Sequence, residues 1–346
     1  MSANRTASET VRAVRLRGAR RARLIVAGLA IALVALFAGS LAFGDPVYSP
    51  ADVWRVLTGQ FVPGASFIVG ELRLPRSVLA VVAGACFGLA GVTFQTMLRN
   101  PLASPDIIGI TNGANAAALF AIVVLGASGL VVSLGAVVAG VATAALIYAL
   151  ASSGAAVGAR LILVGIGIAA MLNSVTAYLL VYANEFDLQR AMRWLNGSLN
   201  LATWDGVALV AVPFVVLAPA LLLLSRRLSL LRLGEDLAAG LGVPIEPTRR
   251  LLVLVAVGLA AFATAATGPI LFVAFMAGPI ATRLVGHRGS PMVPSALVGA
   301  LLVLAADLLG QYAFGTRYPV GVVTGALGAP FLIYLLIRTQ RTGGSL

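Results

Sequence analysis

The chain has 346 residues, of which 60% are hydrophobic and only 10% are charged, and its mean hydropathy is +1.01. Soluble domains are about 45–50% apolar and about 25% charged, so this composition excludes a soluble protein. The 24 basic residues outnumber the 12 acidic ones, and every basic residue is arginine because the sequence contains no lysine.

The residue types that are scarce or missing exclude several kinds of chemistry. An ordinary phosphate-binding P-loop and a Schiff-base mechanism both need a lysine. One histidine, His287, and one cysteine, Cys86, are too few for a zinc site, a disulfide or a Cys–His catalytic pair within the chain. We therefore expect no catalytic residue, no metal site and no resident cofactor, and we expect a partner to supply the driving energy.

Ten apolar stretches predict the fold class. A helix that spans the hydrocarbon core needs about 20 apolar residues, and long runs without alternation disfavour a barrel. The sequence therefore predicts an all-α polytopic membrane protein with about ten transmembrane helices. The predicted crossings are residues 24–43, 77–98, 107–126, 130–150, 161–182, 207–224, 251–265, 270–285, 294–312 and 320–337.

The placement of arginine predicts the orientation, since short arginine-rich loops stay on the cytoplasmic side. With a cytoplasmic N-terminus, 18 arginines lie inside and 6 outside, so we expect both termini on the cytoplasmic side of the membrane. We expect an arginine-rich cytoplasmic tail over residues 1–23 and one transmembrane domain over residues 24–337. That domain contains a large cytoplasmic loop at residues 225–250, and residues 338–346 form a second tail. The first apolar run exceeds the roughly 7–15 residues of a signal peptide, so we expect the first helix to remain uncleaved.

Two segments between crossings predict short surface helices. In the first, Ser49 is a suitable N-cap, Pro50 suits the first helical position and Gly59 can end the helix. In the second, Asp187 is predicted to cap a turn that ends at residues 196–197. Both helices are expected to lie flat on the bundle.

Three segments carry a specific resemblance to a known family. Residues 72–116 contain Arg-Leu-Pro-Arg before a glycine-rich helix, then Asn-Pro-Leu-Ala and a Gly/Asn-rich run. Residues 268–283 read GPILFVAFMAGPIATR, and residues 319–336 read PVGVVTGALGAPFLIYLL. In this order and spacing they resemble the FecCD-type membrane subunits of ATP-driven importers for ferric siderophores, haem and cobalamin. The resemblance covers nearly the whole chain from about residue 24 onward.

The resemblance implies ten helices per subunit and a complex of several polypeptides in the cytoplasmic membrane of a bacterium. A second permease subunit, identical or related, forms the pathway at its interface with this one. Two cytoplasmic ATPase subunits bind ATP and magnesium, and an extracytoplasmic substrate-binding protein delivers the cargo. The expected cargo is a ferric siderophore, with haem or cobalamin as alternatives, and membrane lipid is the surrounding partner. No nucleic acid is expected.

The predicted loop at residues 225–250 contains a short amphipathic element. Its acidic first turn suits the helix dipole, and Leu237, Ala238 and Leu241 are predicted to share one apolar face. The resemblance implies that this element is the coupling helix that docks on the ATPase; the alternative is a solvated loop helix without a partner. The residues assigned to the contact are Gly234, Glu235, Asp236, Leu237, Ala238, Leu241 and Gly242.

Arg73 and Arg76 are expected at the outer mouth of the second crossing. Two arginines so placed can fork onto carboxylates, and the resemblance implies that the pair meets acidic residues of the binding protein. The alternative is that they anchor the helix end at the level of the lipid headgroups. Cobalamin-importing relatives carry a further arginine where this chain has Gln311, and Arg317 is expected to replace it.

The resemblance also implies a cytoplasmic constriction in the pathway. It lies near Asn100 and Leu102 and at the loop before the fifth crossing, which here contains Gly158 and Ala159. Two further polar side chains, Asn112 and Asn173, lie on helices expected to approach the channel. Their alternative use is interhelical hydrogen bonding.

Asp307 is the one acidic residue well inside a predicted crossing, so it is a functional candidate. A proton-coupled secondary carrier would use it, but a lone carboxylate without a basic partner makes a poor relay. We therefore expect a hydrogen bond to a neighbouring helix. An intramembrane enzyme would need a catalytic constellation that this sequence does not offer. His287 is expected on the cytoplasmic surface.

Overall fold

The computed structural model describes residues 2–151, 157–286 and 290–343, and these ranges contain fourteen α-helices. A π-helical turn (Ile68–Arg73) precedes α4, and a 3-10 turn (Pro105–Ile108) precedes α5. The helices are α1 (Ser2–Ala42), α2 (Pro50–Leu57), α3 (Ala65–Phe67), α4 (Leu74–Met97), α5 (Ile110–Val123), α6 (Leu130–Ala151), α7 (Val157–Tyr182), α8 (Glu185–Leu195), α9 (Trp204–Leu231), α10 (Glu235–Gly240), α11 (Ile245–Thr267), α12 (Val273–Val285), α13 (Met292–Tyr312) and α14 (Val320–Gly343).

The all-helical membrane architecture is confirmed, and each predicted crossing falls on a helix. Among the described residues, eight helical segments are long and apolar enough to span a membrane. The other two, α5 and α12, have 14 and 13 residues, so the crossings predicted at 107–126 and 270–285 extend beyond the α-helices found there. Gly109 at φ 67° separates the 3-10 turn from α5, and a non-helical stretch after α11 delays the start of α12. The arginine-rich segment predicted over residues 1–23 is, from Ser2 onward, continuous with α1.

The non-helical stretch after α11 lies against the turn that follows α8, and that turn also contacts the start of α14. The N–H of Ser198 donates to the carbonyl of Thr267 at 2.7 Å, and the N–H of Gly321 donates to the carbonyl of Gly197 at 3.1 Å. A Cβ on Gly268 would overlap the carbonyl oxygen of Trp194. Irregular backbone within a membrane protein is tolerated where protein satisfies its polar groups. This three-way junction supplies such partners, which explains why helix can be interrupted here.

Helix α4 is the centre of the bundle. Every residue from 83 to 95 is buried, and the helix packs against α9, α11, α12 and α13. Helix α11 extends the core to α5 and α6. Helices α7 and α8 pack on α5, whereas α1 and α14 lie against α13. A helix surrounded in this way is expected to be mostly apolar or small on every side, and between residues 83 and 95 of α4 only Thr93 and Gln95 are polar.

The contact between α4 and α13 is made by backbone against backbone. A Cβ on Gly88 would overlap the carbonyl oxygen of Ser295, and one on Gly84 would overlap the carbonyl oxygen of Gly299. A Cβ on Gly299 would in turn overlap the carbonyl of Gly84. Small residues at a membrane helix interface allow this close approach, where dispersion contacts between backbones drive association. Glycine is therefore required on both helices.

Short helices lie at both ends of the bundle. The α2 end carries α2 and α8, and the opposite end, the α10 end, carries α10. Both predicted surface helices are confirmed: Ser49 caps α2 by accepting from the N–H of Asp52 at 3.2 Å. In α8 the cap is Asn184 and not the predicted Asp187, because Asn184 accepts from the N–H of Asp187 at 2.9 Å. Asp187 lies in the first turn and pairs with Arg190 at 3.2 Å.

We predict that Gly88→Ala destabilises the protein by about 1–3 kcal/mol, because the added methyl group forces α4 and α13 apart. The measurement is the thermal unfolding midpoint of the purified protein in detergent. Gly135→Ala is the matched control, since Gly135 lies within α6 and its added Cβ meets nothing within 4 Å. Equal midpoints for the two variants would contradict the proposed packing.

Candidate functional site

Arg73 binds the carboxyl end of α1 from the neighbouring helical segment. Its side chain is buried, and its Nη1 donates to the carbonyls of Leu41 at 3.0 Å and Ala42 at 3.2 Å. Its Nη2 donates to the carbonyl of Pro46 at 2.6 Å. The last carbonyls of a helix lack intrahelical donors and favour a nearby cation. The guanidinium of Arg73 therefore caps α1 instead of projecting from the surface.

Arg76 makes a two-pronged ion pair with Asp307 of α13. Its Nε and Nη2 donate to the two carboxylate oxygens, each at 2.7 Å. The side chains are 20% and 5% exposed, so the pair is largely shielded from water. The expected interhelical hydrogen bond of Asp307 is present, and the expectation that this carboxylate lacks a basic partner is wrong. The two residues are far apart in sequence, and only the packing of α4 on α13 brings them together.

Arg317 differs from the other two predicted docking residues. It is exposed in the turn between α13 and α14, and it forms no ion pair with any residue that the structure describes. Nearby, Gln311 donates from Nε2 to the amide oxygen of Asn200 at 3.0 Å. The three arginines thus have three distinct environments: one caps a helix, one is paired and one is exposed.

At the opposite end, the predicted coupling segment forms α10. Gly234 precedes the helix at φ 110°, and Gly242 follows it at φ 81°. Of the three apolar residues predicted to share a face, Ala238 is fully buried whereas Leu237 and Leu241 are 62% and 61% exposed. Ala238 therefore attaches the helix to its own chain, and the two leucines project away from it.

Arg249 fixes α10 to the start of α11. It is buried, and its two Nη atoms contact Glu235 of α10 and Glu246 of α11 at 2.5 and 2.7 Å. Asp236, next to Glu235, is exposed. Sequence reasoning placed Arg249 among cytoplasmic charges and missed this role. The available signal was the three-residue spacing of Glu246 and Arg249 on one helix, which predicts a pair.

The predicted constriction segment follows α4 at the α10 end. The side-chain oxygen of Asn100 accepts from the N–H of Leu102 at 2.9 Å, and half-buried Leu102 packs against the apolar cluster that contains Phe275. Further along, Asp106 accepts hydrogen bonds from the hydroxyl groups of Ser104 and Thr111. Burial raises the pKa of the Asp106 carboxyl above its ordinary value, while the two hydroxyl donors lower it. Through its hydrogen bond to the N–H of Leu102, the side chain of Asn100 fixes the backbone of the turn after α4.

The other predicted pathway residues lie on neighbouring elements. The 3-10 turn and α5 both pack against α7, so half-buried Asn112 and exposed Asn173 lie on adjacent helices. Helix α7 begins at Val157, which places Gly158 and Ala159 in its first turn and not in the preceding loop. The side chains of residues 158–159 and the whole of His287 lie outside the described residues.

The second Gly-Pro-Ile sequence leaves one backbone carbonyl of α12 without its helical donor, and a side chain of another helix supplies one. Pro279 lies inside α12 and has no N–H, so the carbonyl of Phe275, four residues earlier, lacks its helical donor. The buried side chain of Gln95 on α4 donates from Nε2 to this carbonyl at 3.0 Å. Sequence reasoning did not identify Gln95. A polar residue in an otherwise apolar helix, together with a proline elsewhere, was the signal.

Comparison with known proteins identifies the family. The model described as the FecCD transport family matches residues 29–338. This chain belongs to the FecCD transport family.

Individual FecCD-family relatives match over most of their length. The ferric enterobactin transport system permease protein FepG of Escherichia coli (strain K12) is 40% identical over 92% of this chain and 98% of the relative. The achromobactin transport system permease protein CbrC of Dickeya dadantii is 40% identical over 90% and 91%. The cobalamin import system permease protein BtuC of Halobacterium salinarum is 36% identical over 84% and 81%.

A solved structure supports the same assignment. An inward-facing metal-chelate type ABC transporter superposes with a TM-score of 0.82 at 30% identity, covering 91% of this chain and 99% of that chain. The FecCD-family chain is accordingly a permease subunit of an ABC importer, and it is a multi-pass protein of a bacterial inner membrane.

We predict that Asp307→Asn destabilises the protein by about 3 kcal/mol, because it leaves the guanidinium of Arg76 shielded and unpaired. Adding Arg76→Gln to this variant should recover part of the lost stability. The double variant is then destabilised by less than the sum of the two single substitutions. Thermal or denaturant unfolding in detergent measures both effects. Arg55→Gln is the control: its pair with Asp52 is exposed and should contribute less than about 1 kcal/mol. Additive single effects would show that Arg76 and Asp307 do not interact.

We predict that Arg249→Gln loosens α10 without unfolding the bundle. Loss of two charge-assisted contacts should speed hydrogen–deuterium exchange of the backbone amides at residues 235–241 by about tenfold or more. Mass spectrometry of the purified protein reports this exchange by segment. Arg250→Gln serves as the comparison, since Arg250 is adjacent and exposed and makes neither contact. Unchanged exchange in the Arg249 variant would remove the anchoring role.

Proposed function

We propose that this permease subunit translocates a ferric siderophore across the cytoplasmic membrane. The observation that carries the proposal is 40% identity, over at least 90% of the chain, to permeases named for ferric enterobactin and achromobactin transport. Haem or cobalamin is the alternative cargo, since a cobalamin permease is also similar at 36% identity. The chain itself performs no covalent chemistry in this proposal.

The energy is proposed to come from hydrolysis of magnesium-bound ATP by two separate ATPase subunits. Exposed Leu237 and Leu241, with Leu233 at 57% exposure, give α10 an apolar surface that suits insertion into a groove of another protein. The buried Ala238 and the Arg249 contacts hold α10 against α9 and α11. A push on the leucines would therefore move these longer helices. Gly234 and Gly242 supply the turns on either side.

A substrate-binding protein is proposed to dock at the α2 end. Arg317 offers an exposed guanidinium that can receive a carboxylate from it. Arg73 and Arg76 are proposed to support the docking surface from below, because they fix the ends of α1 and α13 relative to the start of α4. Docking is then sensitive to the positions of three helices at once.

The pathway is proposed to lie between this chain and a second permease subunit, identical or related. Helix α7 leaves most of its surface uncovered, including Met171 and Tyr178, with the polar Asn173 between them. Asn112 on α5 lies behind it, and Asn100 and Leu102 lie at the α10 end, where Gly158 and Ala159 begin α7. Alternating access would follow from movement of these elements against their copies.

An ion-coupled secondary carrier is the competing function, and the ion pair of Asp307 argues against it. A proton carrier must gain and lose its proton during transport. Here both carboxylate oxygens of Asp307 accept hydrogen bonds from Arg76 and belong to one shielded ion pair. The carboxylate is therefore suited to a structural role.

Transport by the reconstituted complex tests the proposal. We expect proteoliposomes containing the permease, its ATPase and its binding protein to accumulate iron-labelled siderophore only when ATP is available to the ATPase. An ion gradient without ATP should drive no uptake. Uptake driven by an ion gradient alone would overturn the ABC mechanism.

The cargo is tested in the same vesicles. Ferric siderophore, haem and cobalamin are supplied separately, and stimulation of ATP hydrolysis is measured together with uptake. Stimulation by the siderophore alone is the expected result. Stimulation by haem or cobalamin alone would overturn the proposed cargo and leave the importer mechanism intact.

A further inference from the structure

A cavity of about 530 Å³ opens at the α10 end of the bundle. Its walls come from α4, α12 and the segment that follows α4, with contributions from the end of α9 and from α14. Three arginines line it, Arg99, Arg232 and Arg283, and we call it the arginine cavity. The proposed transport function uses none of these three side chains.

The arginine cavity carries positive charge that the described chain does not neutralise. Arg99, Arg232 and Arg283 form no ion pair and donate no hydrogen bond to any residue within 2–151, 157–286 or 290–343. Glu235 of α10 is bound to Arg249 instead. All three residues are exposed. An anion bound between them would be attracted by all three and would reduce their mutual repulsion.

Each arginine reaches the cavity from a different element. Arg99 lies in the turn after α4, with a left-handed backbone at φ 50°, and Arg232 caps the end of α9. The guanidinium of Arg283 on α12 lies over the ring of Tyr334 at 5.0 Å from its centroid. Stacking of this kind orients a guanidinium and leaves its edge free to donate.

Neutral donors complete the lining. Thr96 and Asn100 place a hydroxyl and an amide group on the wall, and Leu335 and Pro279 add apolar surface. The carboxamide of Asn100 already uses its oxygen to hold the N–H of Leu102, so its NH₂ group is the part able to donate. Forked guanidinium groups together with neutral donors match the oxygens of a phosphate group.

We propose that the arginine cavity binds a phosphate-class anion, supplied either by the headgroup of an anionic phospholipid or by free phosphate. Basic pockets between membrane helices bind lipid phosphates in this way, and the volume accommodates a phosphoglycerol headgroup. The apolar part of the lining suits a lipid source. The site goes beyond the proposed function, because its ligand is distinct from the transported cargo.

The test compares two double variants of the full-length permease in detergent. Arg232→Gln with Arg283→Gln removes two charges from the cavity. Arg226→Gln with Arg227→Gln removes two exposed charges from α9 that do not line it. Short-chain phosphatidylglycerol, short-chain phosphatidylcholine and inorganic phosphate are titrated separately, and the dissociation constant is measured from the shift in the unfolding midpoint.

The expected result is that the wild type and the α9 variant bind phosphatidylglycerol about tenfold or more tightly than phosphatidylcholine, and that the cavity variant loses this preference. A shift with phosphatidylglycerol but not with phosphate identifies the lipid headgroup as the source. A comparable shift with inorganic phosphate identifies a free anion, and both results support the site.

Two results overturn the proposal. One is equal binding of phosphatidylglycerol and phosphatidylcholine by the wild type, with no response to phosphate. The other is an equal loss of anion binding in the two double variants, which would assign the effect to overall charge. If the cavity variant does not fold, Arg99→Gln alone is titrated in the same way, and unchanged anion affinity in it then counts against the site.

Discussion

The close contact between α4 and α13 is the constraint on which the rest of the structure depends. Because Gly88 and Gly299 have no side chains, the two backbones touch, and dispersion forces act over the whole crossing. That approach sets the distance between the start of α4 and the end of α13. Arg76 can reach Asp307 with both prongs only at this distance. A helix contact in the apolar core thus determines an electrostatic contact near one end.

Charge in this chain is used mainly to fix helix ends. Arg73 binds the carbonyls at the end of α1, Arg76 joins α4 to α13, and Arg249 joins α10 to α11. In each interaction the arginine side chain is largely buried, and its donors satisfy several acceptors at once. The surplus of arginine over acid therefore does more than orient the chain, since single side chains hold the elements proposed to receive the binding protein and the ATPase.

Several site features depended on contacts between residues that are distant in sequence. Asp307 was identified as unusual because a carboxylate in an apolar run is costly, but its partner lay on another helix and could not be read from the run itself. The same holds for Gln95, which completes α12 at Phe275. Leu237 and Leu241 were expected to share a face with Ala238. In the structure Ala238 is buried and both leucines are exposed, because burial is decided by how α10 meets α9.

The sequence by itself determined the membrane class, the positions of the ten apolar helices, the two short surface helices and the family resemblance. These follow from local properties: the length of apolar runs, capping residues, and motifs with fixed spacing. Only the tertiary structure decided where α5 and α12 begin, which acid each arginine binds, and that Arg99, Arg232 and Arg283 share one cavity. The physical reason is that a side chain's partner and its exposure are set by neighbouring helices, and helix packing brings together residues whose separation along the chain carries no local signal.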